Sequence, residues 1–182
     1  MATQTTLITL KEYRERYENE HGVEYWFGEV VRKSMVSWNH GILAMILGQF
    51  FTELGYVSGT EIDLRVDPNW EPRPDVMAML SPDLSERYPT KPVAIVAEIL
   101  SPTDSMTHVF EKCGHYARVG VEQIFVFDPE GKKAWQWNKH TEALEPLNEV
   151  HLTNDSVLVV AEVWVEMKRR TGQAHQKQFS GE

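Results

Sequence analysis

Apolar residues recur along the chain with two periods, and these divide it into elements. Leu10 to Glu20 is highly charged and free of Gly and Pro, which predicts a short surface helix. Glu24 to Lys33 predicts a strand, with Glu24, Trp26, Gly28 and Val30 on one face and Tyr25, Phe27, Glu29 and Val31 on the other. Trp38 to Leu54 is the longest helix candidate. Its Ile42, Leu43, Met45, Ile46, Leu47, Phe50, Phe51 and Leu54 cover more than one stripe. Such a helix is buried on most sides, or it also serves a subunit contact. Gly55 stops it.

Tyr56 to Val66 predicts a strand, followed by a loop holding Pro68, Pro72 and Pro74. Asp75 to Leu80 reads as a short strand and Ser81 to Pro92 as a polar connection. Val93 to Leu100 is an almost continuous apolar run, the pattern of a central strand covered on both faces. Ser101-Pro102 ends it. Thr103 or Asp104 can then cap a helix running to about Val119, closed by Gly120. Val121 to Phe127 and Lys132 to Trp137 form a hairpin around the turn Asp128-Pro129-Glu130-Gly131. Leu144 to Leu152 is one further strand, and Ser156 to Lys168 fits either a strand with a short helix or one longer element. These elements predict a single α/β domain over residues 1–170, with a mixed central β-sheet flanked by helices, and a polar, disordered tail over 171–182.

Composition narrows the setting. The 182 residues suit one domain, and no apolar run reaches the length of a membrane span. The first twelve residues lack the plan of a signal peptide, and the lone Cys113 has no partner for an internal disulfide. A cytoplasmic protein is expected. The formal charge of −9 argues against a general nucleic-acid coat protein. It leaves a nuclease open, because screening over about 8 Å makes a local rim matter more than the total.

There is no Gly-rich phosphate loop, no G-x-S-x-G elbow and no H-E-x-x-H. The residue that breaks its pattern is Glu98, a carboxylate inside the apolar run Val93 to Leu100. Burial strips it of hydration worth several kcal/mol unless it is paired with a cation, bound to a metal or protonated. Asp75 opens the neighbouring strand. Two carboxylates on adjacent strands make an oxygen-rich corner suited to magnesium, and the carbonyl of Ile99 could add a third oxygen. Lys112 borders the apolar stripe Met106, Val109, Phe110, Cys113 and Ala117 of the following helix. Its stem can pack inward with the ammonium toward the strand ends, or it can snorkel to solvent.

In order and spacing, Arg73-Pro74-Asp75, Glu98-Ile99-Leu100-Ser101-Pro102-Thr103, and Lys112 with Tyr116 and Gly120-Val121 resemble the Uma-type restriction-endonuclease family. That family is a branch of the PD-(D/E)XK nuclease superfamily. The likeness covers roughly Glu24 to Trp137. It implies a restriction-endonuclease-like fold, with Asp75 and Glu98 binding Mg²⁺ or Mn²⁺. The superfamily's lysine usually stands two residues after the glutamate, where this chain has Leu100. The resemblance therefore assigns that role to Lys112 on the next helix. It also offers Glu29 as an additional carboxylate and His40 as a residue lining the cleft, although His40 fits an ordinary helix start equally well. The activity implied is metal-dependent hydrolysis of DNA phosphodiesters by a homodimer. The alternative is a non-catalytic interaction module that keeps the fold. The aromatic residues Phe125, Phe127, Trp135 and Trp137 fit either the core or a dimer contact.

Overall fold

Thr9 opens helix α1, Leu10–Tyr17, through a capping box in which its side chain and that of Glu12 satisfy each other's backbone N–H. The computed structural model describes residues 7–33 and 36–179. The stretch Glu24 to Lys33 is not one strand. It is a hairpin of β1, Val23–Trp26, and β2, Glu29–Arg32, with Trp26 paired to Glu29. Phe27 and Gly28 form the two-residue turn, both at positive φ (46° and 98°). Positive φ at both central positions gives the twist that matches a tight antiparallel pair.

Ser37 caps helix α2, Trp38–Glu53, by accepting the N–H of His40. Gly55, at φ 93°, ends it as expected. Strand β3, Val57–Thr60, is shorter than predicted, because Glu61 turns the chain at φ 54°. The Pro-rich segment contributes β4, Trp70–Glu71, which pairs with β1 and completes a three-stranded sheet in the order β2-β1-β4. Then come β5, Val76–Met79, and β6, Ile95–Ile99. Helix α3 spans Met106–Arg118 and starts after Ser105 rather than Thr103 or Asp104. Strands β7, Gln123–Asp128, and β8, Lys133–Asn138, form the expected hairpin. The predicted strand Leu144 to Leu152 divides into β9, Ala143–Pro146, and β10, Glu149–His151. The latter pairs with β11, Val157–Val159. Helix α4, Val160–Phe179, follows directly and continues through residues 171–179, where the sequence suggested a tail. Residues 180–182 lie outside the described residues.

The central sheet has the order β3-β5-β6-β7-β8-β9. Only β6 and β7 run parallel, joined by the α3 crossover. On one face, Ile95, Ala97, Ile99, Phe125 and Phe127 pack against α2 and α4. On the other, Met77, Val96, Ile124 and Val126 pack against α3 and against Trp26 and Trp70 of the small sheet. Phe125 and Phe127 thus fill the core, and Trp137 is 7% exposed beneath α3. The architecture is the mixed sheet between helices that the sequence predicted. Strand β6 is buried at every position. Its alternation sends Glu98, with Val96, toward α3 and the small sheet. Among the described residues no helix is long and apolar enough to cross a membrane.

Candidate active site

The small sheet and α3 leave a gap at the ends of β5 and β6. A cavity of about 210 Å³ opens there, lined among others by Glu24, Lys33, His40, Asp75, Glu98 and Lys112. The pairing of Val76 with Ala97 fixes the register of β5 and β6, and one step further brings Asp75 opposite Glu98. Both carboxyls therefore lie on the α3 face. Glu24, His40, Asp75, Glu98 and Lys112 are all buried.

Two ammonium groups organise these carboxyls. Lys112 Nζ donates to Glu24 Oε1 at 2.8 Å and to Glu98 Oε2 at 3.1 Å, and lies 3.0 Å from Glu98 Oε1. Tyr116, one turn along α3, donates its hydroxyl to the same Glu98 oxygen at 2.6 Å. Glu24 also accepts the Arg73 N–H at 2.8 Å and the Trp26 indole N–H at 3.2 Å. Lys33 Nζ donates to Asp75 Oδ1 at 2.7 Å, to Glu61 Oε1 at 2.8 Å and to the Arg73 carbonyl at 2.9 Å. The other Asp75 oxygen accepts the Ile99 N–H at 2.7 Å. His40 Nε2 stands 3.5 Å from Asp75 Oδ1.

The charge states follow from this contest between burial and neighbours. Burial, with Asp75 and Glu24 acting in the same sense, pushes the Glu98 carboxyl up to about 7 against the pull of Lys112 and Lys33. Burial acts on Asp75 in the same sense, but Lys33, His40 and Lys112 outweigh it and hold Asp75 well below the usual carboxylate range. Glu24 is also lowered, because Lys112 and Lys33 overcome its desolvation. Desolvation would lower Lys112, yet Glu24, Glu98 and Asp75 keep it above its ordinary value and charged.

The residues that the sequence suggested divide accordingly. Asp75, Glu98, Lys112, Ile99 and His40 all line the cavity. Ile99 donates its N–H to Asp75, which ties the two residues together at the cavity. Glu29 does not line the cavity. It is exposed at the solvent end of β2, opposite Trp26, because the Phe27-Gly28 turn reverses the chain before it. The carboxylate supplied by the hairpin is Glu24, on the incoming strand. The alternation Glu24-Trp26 and the Gly28 turn residue were the signals for it. Lys33 and Glu61 were also missed, and neither residue type is conspicuous at a strand end.

The donor set suits a hard divalent cation. Among the described residues, His40, Glu61 and Asp75 offer ligand atoms that all lie within 4.8 Å of one another. The carboxyls of Glu24, Glu61, Asp75 and Glu98 outnumber the ammoniums of Lys33 and Lys112 by two. Magnesium and manganese favour such oxygen-rich, negatively charged corners.

A family model described as Uma2, "Putative restriction endonuclease", matches residues 10–170. A crystal structure described as "a putative nuclease belonging to DUF820" from Anabaena variabilis shares the fold, with a TM-score of 0.70. That match covers 88% of this chain and 99% of the other at 16% sequence identity. No curated protein matches the chain.

Proposed function

The chain belongs to the Uma2 family, and from that premise we propose that it is a metal-dependent endonuclease acting on phosphodiester bonds in DNA. The observation that carries the reading is the convergence of Asp75, Glu98 and Lys112 from three elements on one cavity. Asp75, Glu98 and the Ile99 carbonyl would hold Mg²⁺ or Mn²⁺, with His40 and Glu61 as further donors within reach of Asp75. When bound, the ion supplies Lewis-acid polarisation of the phosphate and a lowered water pKa.

The chain's own groups do the positioning. Tyr116 and Lys112 fix the Glu98 carboxyl from two directions, so its oxygens need little reorganisation. Lys112 keeps its proton and presents a fixed positive charge at the cavity wall, suited to an anionic phosphate oxygen. Glu24 holds that ammonium in place, as an orienting partner behind it. A homodimer would offer two such cavities to a duplex. Trp38, 88% exposed, and Met45, 65% exposed, give one face of α2 apolar surface for that contact.

The reading is tested by incubating supercoiled plasmid and single-stranded DNA with wild type and Asp75→Asn, with Mg²⁺, with Mn²⁺ and with chelator. Metal-dependent cleavage that Asp75→Asn abolishes is the expected result. No cleavage together with no calorimetric Mn²⁺ uptake, with DNA present, would overturn it in favour of a non-catalytic module.

A further inference from the structure

We propose that Lys33 is a displaceable internal cation: its ammonium occupies the place of a divalent ion beside Asp75 and Glu61, and the two compete for it. The inference rests on the metal reading above. An ammonium has three donors, and Lys33 uses all three on Asp75, Glu61 and the Arg73 carbonyl. Two of those partners belong to the one group of side chains, among the described residues, close enough to share a metal. The lysine therefore sits on the same carboxylates. A monovalent and a divalent cation on one carboxylate repel strongly at that range, so one must leave.

The surroundings favour departure of the lysine. Its side chain is 13% exposed and lines the cavity, whereas Lys112, at 7%, is tied to Glu24 and Glu98. Lys33 is anchored by its backbone, whose N–H donates to the Gly22 carbonyl at 2.8 Å, so the side chain can swing while the strand end stays. Lysine is a point charge on a flexible stem and has no fork geometry to lose. Glu61 is held for this role at φ 54°, a left-handed backbone that a non-glycine residue keeps only when its surroundings enforce it. Its N–H donates to the Pro74 carbonyl at 3.1 Å, beside Asp75. While Lys33 occupies the position, apparent metal affinity is reduced by the fraction of molecules in which it is out.

Two measurements test the exchange. The first is Mn²⁺ calorimetry on chelator-stripped wild type and Lys33→Met, each checked for cooperative melting. Removal of Lys33 is expected to tighten Mn²⁺ binding roughly tenfold or more. The second needs no variant. Wild type is acetylated with an N-hydroxysuccinimide ester, with and without Mn²⁺, and modification of each lysine is read by mass spectrometry. Lys33 labelling is expected to rise several-fold with Mn²⁺ while Lys112 stays protected. Mn²⁺ uptake with unchanged Lys33 labelling overturns the exchange and leaves the metal site standing. Equal or weaker Mn²⁺ binding by folded Lys33→Met also overturns it. Absence of Mn²⁺ binding in both proteins removes the metal reading and the exchange together.

Discussion

Two partly buried ion networks lie side by side in this protein, and they are built from different cations. Around the cavity the cations are Lys33 and Lys112. Behind it they are arginines. Arg73 donates through Nε to Asp63 at 2.7 Å and through Nη1 to the Glu20 carbonyl at 3.1 Å. Arg65 bonds Glu18 at 2.8 Å, and Arg14 of α1 grips Glu71 of β4 through both Nε and Nη2. Arg65 Nε and the second Glu71 oxygen make no hydrogen bond, but lie 3.6 Å apart as an ion pair. A guanidinium fork fixes direction as well as charge, whereas an ammonium fixes charge alone. The arginine network therefore clamps the N-terminal helix and the small sheet in place. The lysine network balances charge where a ligand can replace it.

That division can be broken at several points. Arg73→Leu leaves buried Asp63 without its closest cation, and unfolding in urea should show a loss of about 3–5 kcal/mol. A variant that instead keeps its stability and loses Mn²⁺ binding alone would erase the distinction between the networks. Asp75→Asn should lower DNA cleavage by at least about a hundredfold, beyond the usual effect of residues that only support a metal ligand. Its folded fraction at the assay temperature should stay high, as circular dichroism would show.

The pH dependence of the metal-free protein gives a third, smaller effect. Asp75 and Glu24 have lowered pKa values, so the stability they contribute is fully present above the usual carboxylate range and is lost as pH falls from that range through their lowered native values. Glu98 works in the opposite sense. Between its ordinary value of 4.5 and about 7 the native state holds a proton that the unfolded state has released. Stability from this group therefore declines as pH rises across that window. Melting curves in chelator should show the decline, and Glu98→Gln, which resembles the protonated form, should flatten it. A decline that persists in Glu98→Gln assigns it to another group. Least of all, Arg169→Ala, at an exposed pair with Glu166 on α4, should leave the melting midpoint unchanged.

Much of this was legible in the sequence. Glu98 stood out because an acid interrupted an apolar strand, and its environment bears the consequence in a raised pKa. Helix α2 was readable from its dense apolar positions and Gly55 stop, and α3 from its apolar stripe. Lys112 was read at the border of that stripe, and it lies buried within it because Glu24 and Glu98 satisfy its ammonium. The hairpin turn was less visible, since Phe27 carries no turn signature and adopts positive φ only through its context. With the turn hidden, Glu24 and Lys33 looked like members of one strand rather than opposite arms of a hairpin. Glu61 depends in the same way on a backbone conformation that its residue type does not announce.

Arg73 stands between Pro72 and Pro74, and proline has no amide hydrogen. Across these three residues only the Arg73 N–H can donate, and it donates to Glu24. The segment behind the cavity thus carries a single exchangeable backbone proton, placed on the carboxylate that holds Lys112. Its hydrogen-exchange rate is a built-in reporter for the site. Exchange is expected to be slow while Glu24 accepts this N–H, and to speed up with any opening that separates the two.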